Sequence, residues 1–172
     1  PLIGQPMRLQ EFQIAFILAV FDNPAGTRYA YMSVAARNGK TMLMAVILLA
    51  YVIGPLRSRN VEVASGAMSR DQAALCFKSM QNILGMSPDV ESLASVVPSG
   101  KLIKGLSTNA SYQALSADAK TGYGRSLKVI MLDEAGAIAG PTSDFTSMLE
   151  SRQGSYDDAL MLVISTQAPS DM

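Results

Sequence analysis

A short group of polar residues has the types and spacing needed to bind the phosphates of a nucleotide. Gly39-Lys40-Thr41 follows a segment of strand-like composition and precedes a long apolar segment of helical character. At such a strand-to-helix junction, free backbone N–H groups and the positive end of the helix face an anion. We expect Lys40 to hold the β- and γ-phosphates and the Thr41 hydroxyl to bind Mg²⁺. The match is incomplete, because the usual pattern begins with glycine and Val34 occupies that position.

A second polar group strengthens the prediction of a nucleotide site. The apolar run Val129–Leu132 ends in Asp133-Glu134, and ligands of open α/β sheets bind at the carboxyl ends of strands. We expect Asp133 to accept Mg²⁺ through its water shell and Glu134 to orient and polarise an attacking water, because phosphoryl transfer depends mainly on positioning and charge neutralisation. The alternative is an acidic pair that closes a strand without further function. We expect the two groups to meet at neighbouring strand tips.

Two weaker signals accompany these groups. The apolar run Leu160–Ile164 continues into Ser165-Thr166, whose hydroxyls could contact a γ-phosphate and report its loss to moving parts. A strand that simply ends in polar residues is nearly as good an interpretation. Gln13 lies on a predicted helix that precedes Lys40 in the sequence. A surface glutamine is the default interpretation of this residue, and only its neighbours in the sequence suggest a contact to adenine.

The elements that must position these residues alternate between strand and helix, which favours an α/β fold with a mainly parallel sheet. One domain accounts for residues 1–172. Boundaries are least certain between Gly85 and Ser126, where proline and glycine are frequent. The predicted helices are Leu9–Phe21, the apolar run Met42–Leu56, a segment begun by Ser69, and a short one near Val90; the predicted strands are Tyr29–Ala36, Val61–Ala64, Lys101–Leu106, Leu127–Leu132 and Leu160–Ile164.

The composition excludes several kinds of chemistry. The chain has no histidine, which rules out histidine-based catalytic triads and imidazole zinc sites. Cys76 is the only cysteine and lies between apolar neighbours, so we predict a core thiol. Fourteen basic residues balance 14 acidic ones, so no domain-wide positive field exists to hold DNA. The run Met42–Leu56 is too short and too interrupted to cross a membrane, and no membrane partner is predicted.

With these residues in view, the chain from Arg8 onward resembles the ATPase domain of the large terminase subunit of tailed bacteriophages. Leu9–Gln13 resembles the segment of that family that recognises adenine. The segment Ser33–Thr41, with Arg37-Asn38 before Gly39, resembles its Walker A form, in which the missing first glycine is expected. Arg70–Ala73 resembles the start of its second helix, Leu115–Lys120 resembles a loop before its Walker B strand, and Ile164-Ser165-Thr166 resembles its coupling motif.

The resemblance implies a RecA-like fold, hydrolysis of ATP with Mg²⁺, and translocation of double-stranded DNA into a procapsid by a ring of identical subunits. It assigns nucleotide contacts to Gln13, Arg37, Asn38, Gly39, Lys40, Thr41, Ser165 and Thr166. Arg37 matches an arginine beside the phosphates, and Glu134 matches the catalytic glutamate. An arginine reaching a neighbouring subunit could be Arg125 or Arg152, with Arg152 slightly favoured, although an ordinary surface charge is the better interpretation of each. The implied partners are the portal protein and the small terminase subunit, in host cytoplasm at the procapsid; a nuclease domain is not expected here.

Two other functions remain open at this stage. Asp133-Glu134-Ala135-Gly136 and Ser165-Thr166 resemble motifs of helicases of the DEAD-like class, although those pair two such cores in one chain. An ATP-binding module that assembles a ring without appreciable turnover is the alternative from a different class. A motor and such a module would differ in Glu134→Gln: the motor should still bind ATP but stop hydrolysing it, whereas the module should lose nothing measurable.

Overall fold

The computed structural model describes residues 6–117, 126–133 and 144–166. The helices are α1 Glu11–Phe21, α2 Lys40–Val52, α3 Arg70–Gly85, α4 Pro88–Glu91 and α5 Asp144–Ser151; the strands are β1 Tyr29–Ser33, β2 Glu62–Ala67, β3 Ala94–Val97, β4 Leu102–Gly105, β5 Ser111–Ser116, β6 Val129–Asp133 and β7 Leu160–Ser165. Helices and strands alternate from α1 to α3, as the sequence predicts, but α4 follows α3 directly and no α-helix is described between β3 and β6.

The described strands form one seven-stranded sheet in the order β1-β7-β6-β2-β5-β4-β3. Strands β1, β7, β6, β2 and β5 are parallel, whereas β3 and β4 add an antiparallel ladder at one edge. The expected α/β architecture with a mainly parallel sheet is confirmed. One expectation needs correction: the strands before Lys40 and Asp133 are not neighbours, because β7 lies between β1 and β6.

Both faces of the central strands are buried, which explains their continuous apolar sequences. Helices α2 and α3 contribute to the larger core, together with Val63, Tyr112 and Met131 on the sheet, while α5 covers the opposite face around Ile130 and Val163. Helix α2 is apolar on nearly all sides and most of its residues are buried. Among the described helices none has the length and hydropathy that a membrane span requires.

The structure departs from the sequence predictions mainly between residues 86 and 117. Strands β3 and β5 were not predicted, and helix α5 was also missed. Leu115 and Ser116, interpreted as part of a loop, form the end of the buried strand β5. The predicted strand Tyr29–Ala36 ends at Ser33, because the chain turns there into the loop before α2. The short helix near residue 90 and the strand near residue 103 are confirmed.

A buried polar cluster joins β2, β5 and α3 beneath the carboxyl edge of the sheet. The hydroxyls of Ser65 and Tyr112 lie 2.7 Å apart, and neither side chain is appreciably exposed. Cys76 contacts the same group and is buried, as predicted. Burial raises the pKa of the Cys76 thiol to about 12, and the negative charge of Asp133 acts in the same direction. Burial likewise raises the pKa of Tyr112. The cluster is therefore neutral and tightly held.

These pKa shifts predict how stability changes at alkaline pH. The Cys76 thiol ionises in the unfolded chain near its ordinary pKa of 9.0 but stays neutral in the fold until about 12. Its contribution is therefore complete below pH 9 and is lost as the pH rises toward 12. Urea unfolding at a series of pH values should show a steeper loss of unfolding free energy for the wild type than for Cys76→Ala over that interval. Parallel pH profiles would contradict the assignment.

Candidate nucleotide site

The candidate site lies where the parallel strands β1, β7 and β6 end at one edge of the sheet. Strand β1 leads through residues 34–39 into α2, β7 ends beside Thr166, and β6 ends at Asp133. Because β7 stands between the other two, its tip occupies the centre of this edge. Side chains that are far apart in sequence are therefore brought together by strand order alone.

Lys40 is the centre of the observed contacts. The residue is 7% exposed, and its ammonium group donates hydrogen bonds to the carbonyl oxygens of Val34 at 2.7 Å and Ala35 at 3.2 Å, and to Oγ1 of Thr166 at 3.2 Å. An ammonium has three donors, so each has an acceptor in this arrangement. Val34, which stands where the usual phosphate-binding pattern has its first glycine, contacts Lys40 through its backbone carbonyl, a group that every amino acid has. Valine at that position is thus compatible with the contacts seen.

The loop before Lys40 contains two residues in the left-handed backbone region. Gly39 has φ 73° and Arg37 has φ 65°. Glycine adopts this conformation freely, whereas an arginine does so at a cost of about 1–2 kcal/mol. Nδ2 of Asn38 donates to the carbonyl of Ala35 at 3.3 Å, which closes the loop on itself. Arg37 therefore occupies a strained position beside the lysine, the kind of strain that is concentrated at ligand-binding sites.

Thr41 and Asp133 supply oxygen atoms on the other side of Lys40. Oγ1 of Thr41 donates to Oδ2 of Asp133 across 3.5 Å, and Asp133 is 7% exposed. A hydroxyl and a carboxylate are the hard ligands that Mg²⁺ accepts, and this ion usually keeps several waters and phosphate oxygens in addition to one or two carboxylates. The donor set thus fits Mg²⁺ bound together with a nucleotide. Glu134 and Gln167 lie outside the described residues.

The tip of β7 is directly involved in the site. Thr166 accepts the third hydrogen bond of Lys40, and Oγ of Ser165 donates to the carbonyl of Thr166 at 3.4 Å. The simpler interpretation, a strand that merely ends in polar residues, does not explain the contact between Thr166 and Lys40. The sequence indicated Ser165 and Thr166 but not the contact of Thr166 with Lys40, because the strand order was unknown.

Gln13 is buried, whereas its default interpretation was a glutamine on the surface. It is 4% exposed, and Nε2 of its amide donates to the carbonyl of Asn38 at 3.4 Å. A cleft of about 650 Å³ opens beside it, large enough for a nucleotide base and ribose. The residues lining this cleft are Pro6, Met7, Arg8, Gln10, Phe12, Gln13, Arg37, Asn38, Gly39 and Met42.

The sequence did not indicate all of the lining. Phe12 lies in the segment Leu9–Gln13 but was given no role of its own; it is 38% exposed and borders the cleft. Met42 also borders the cleft from the first turn of α2. An apolar residue in an apolar helix such as α2 carries no signal that separates a core position from one that lines a cleft, so only the fold identifies Met42.

Arg152 does not belong to this site. The Arg152 carbonyl accepts a hydrogen bond from the backbone N–H of Leu127 at 2.9 Å, and the residue lines a small hollow with Glu62. Leu127 and Glu62 stand where β6 and β2 begin, so Arg152 lies at the edge opposite Lys40. Arg152 therefore lies away from the group around Lys40 in its own domain. Arg125 lies outside the described residues.

The family model for the terminase large subunit, ATPase domain, matches residues 11–170. The chain belongs to this family. It is 48% identical over 170 residues to the large terminase subunit of Enterobacteria phage HK97, in an alignment that covers 99% of this chain and 34% of that protein. The crystal structure of the HK97 large terminase superposes with a TM-score of 0.93 at 47% identity, over 98% of this chain and 35% of that one. The chain thus spans about a third of the length of these relatives.

More distant terminases share the fold. The ATPase domain of the Thermus phage P74-26 large terminase superposes with a TM-score of 0.71 at 17% identity, over 94% of this chain and 66% of that one. The large terminase of another thermophilic bacteriophage gives 0.70 at 12% identity, over 92% and 39% of the two chains. The expected RecA-like fold is confirmed, and the terminase interpretation is favoured over the DEAD-like helicase.

Gly26 and Gly39, described residues with left-handed backbone, allow a test of the loop formed by residues 34–39. Gly39→Ala and Gly26→Ala both place a β-carbon at φ 73°, so each should destabilise the fold by about 1–2 kcal/mol. An added β-carbon at Gly39 would lie 3.3 Å from Nε2 of Gln13, whereas nothing lies within 4 Å of the one at Gly26. Only Gly39→Ala should weaken ATP binding, measured by calorimetry beside thermal melts. Equal binding by both variants would contradict this role of the loop.

Proposed function

We propose that this domain is the Mg²⁺-dependent ATP-hydrolysing motor of a packaging terminase and drives double-stranded DNA into a procapsid. The observation that carries the proposal is the convergence of Lys40, Thr41, Asp133 and Thr166 at one edge of the sheet. Membership of the terminase ATPase family supports the same reaction. The base would occupy the cleft beside Gln13, which continues to the phosphate loop at Gly39.

In this proposal each side chain has a separate task. Lys40 neutralises the β- and γ-phosphates while its bonds to the carbonyls of Val34 and Ala35 hold the loop in place. Arg37 and Asn38 contribute further phosphate contacts. Thr41 and Asp133 would hold Mg²⁺, which when bound would neutralise negative charge on the nucleotide phosphates. Glu134 orients and polarises the attacking water.

Ser165 and Thr166 would connect the nucleotide state to movement. Thr166 bonds to Lys40, the group assigned to the γ-phosphate, so arrival or loss of that phosphate changes the partners of a strand tip. Switching elements of nucleotide-driven proteins respond to such a local change. Translocation would follow from the response of β7 and the segment after it.

The partners in this proposal are double-stranded DNA, further copies of the domain in a ring, the portal protein and the small terminase subunit, in host cytoplasm at the procapsid. The near balance of acidic and basic residues suits a domain that grips DNA locally or jointly with its neighbours. Arg152 is the described candidate for an arginine supplied to a neighbouring subunit, because its edge faces away from the domain's own site. Arg125 is the other candidate.

Glu134→Gln separates a motor from an ATP-binding assembly module. The variant should bind ATP with nearly wild-type affinity and lose hydrolysis by a factor of about 10² to 10⁴, since it removes a positioned acid-base group. Glu150→Gln, an exposed acid on α5, provides the matched control and should keep both properties. Phosphate release and calorimetry measure the two quantities. Unchanged turnover in Glu134→Gln would favour the assembly module.

Stimulation of turnover tests the packaging assignment itself. An arginine supplied by a neighbour is worth about 10³ to 10⁵ in rate, so the dilute domain should hydrolyse ATP slowly. Added double-stranded DNA and portal-bearing procapsids should raise the rate together, whereas a helicase would respond to single strands. Phosphate release measured with each addition distinguishes these cases. Fast turnover by dilute monomer would refute the ring mechanism.

A further inference from the structure

The ammonium group of Lys40 uses all three of its donors on acceptors within the chain. Two of these acceptors are the carbonyl oxygens of Val34 and Ala35, six and five residues earlier in the loop that leads to Lys40, at 2.7 and 3.2 Å. The third is Oγ1 of Thr166, 126 residues away at the end of β7, at 3.2 Å. Thr166 is therefore the acceptor among these three that does not belong to the loop.

The bond to Thr166 is the one that a phosphate oxygen can most readily replace. The bond to Val34 is the shortest of the three, and the Ala35 carbonyl lies in the same short loop as the amine. A hydroxyl donates as well as accepts and rotates to suit its neighbours, whereas a backbone carbonyl can only accept. Thr166 is only partly buried, so its hydroxyl can turn to water when Lys40 leaves it.

Competition for one amine lowers the affinity for any ligand that needs the same donors. A phosphate oxygen at Lys40 requires an N–H that points toward it, and an ammonium has three. A ligand that takes a donor already bonded to Thr166 gains only the difference between the two bonds. Lys40 is 7% exposed, and hydrogen bonds to charged groups in such surroundings are among the stronger ones. The contact should therefore subtract a measurable part of the affinity for a nucleotide.

We propose that the hydroxyl of Thr166 competes with nucleotide phosphates for Lys40, and thereby weakens nucleotide binding and speeds the release of ADP. The inference rests on the proposed function, since it requires phosphates at Lys40. It differs from a contact of Thr166 with the γ-phosphate, which would strengthen the binding of ATP and leave that of ADP unchanged. Competition acts through the amine itself, so it lowers the affinity for both nucleotides.

Thr166→Val tests the competition, because it replaces the hydroxyl by a methyl group of similar size. The variant should bind ADP with Mg²⁺ about 3- to 30-fold more tightly than the wild type, mostly through slower dissociation. Calorimetry measures the dissociation constant, and displacement of ADP that carries a fluorescent label on its ribose measures the rate. Thr166→Ser keeps the acceptor and should restore the wild-type values. Unchanged or weaker binding of ADP by Thr166→Val overturns the inference, since loss of a merely structural contact would not tighten binding.

A non-hydrolysable analogue of ATP separates competition from direct contact with the γ-phosphate. Under competition, Thr166→Val binds both ADP and the analogue more tightly than the wild type does. If the variant binds the analogue more weakly and ADP as before, the hydroxyl contacts the γ-phosphate and the inference is wrong.

Substitution of the amine distinguishes failure of this inference from failure of the proposed function. Lys40→Met should weaken ADP binding strongly, and adding Thr166→Val to it should restore nothing, because no amine is left to compete for. If Lys40→Met binds ADP like the wild type, the proposed phosphate site is wrong. If Lys40→Met loses ADP but Thr166→Val alone shows no gain, only the competition is refuted.

Two further variants control for effects on folding and packing. Thr166→Ala also lacks the acceptor and cannot crowd the end of β7, so it should show the same gain even if Thr166→Val does not fold. Thr108→Val removes a hydroxyl that donates to the carbonyl of Val52 at 3.4 Å, at the opposite end of α2 from Lys40. Its affinity for ADP should equal that of the wild type. An equal gain in Thr108→Val would assign the effect to general loosening of the fold and would overturn the inference.

Discussion

The contacts of one buried ammonium group organise the carboxyl edge of this sheet. Lys40 belongs to the first turn of α2, yet its acceptors come from the loop after β1 and from the end of β7. A charged residue that is 7% exposed must have hydrogen-bonding partners, because an unpaired ammonium in such surroundings is very costly. The need to satisfy one amine therefore fixes the loop, the helix start and a strand tip relative to one another.

Strand order determines which residues can share this arrangement. Since β7 lies between β1 and β6, Thr166 stands between the lysine loop and Asp133 rather than at the margin. Main-chain ladders between five parallel strands hold these tips in register, and the cores on both faces hold the sheet. A small local change at Thr166 is thus transmitted to a strand that is buried along most of its length. Such packing resists gradual deformation and favours discrete states.

The sequence predicts the central part of this fold better than its margins. Continuous apolar runs of strand length identify β6 and β7 because both strands are buried on both faces, whereas β1 is buried on one face only and is indicated by its β-branched and aromatic residues before the Lys40 loop. Strand β5 escaped prediction since its sequence mixes Ser111, Tyr112 and serine at its end, and its polar groups are satisfied by partners that only the fold supplies. The contacts made by backbone groups could not be predicted either, because no residue type indicates that the carbonyls of Val34 and Ala35 accept from the ammonium group of Lys40.

Helix α1 connects the cleft beside Gln13 with the loop formed by residues 34–39. Gln13 contacts the cap of its own helix and the carbonyl of Asn38, one residue before Gly39. A ligand that displaces or strengthens either contact must also bias the loop, because the same amide serves both. The loop in turn carries Lys40, whose third donor meets Thr166. A continuous series of contacts therefore runs from the cleft beside Gln13 to the end of β7, so a ligand in the cleft would be linked to that strand tip without touching it.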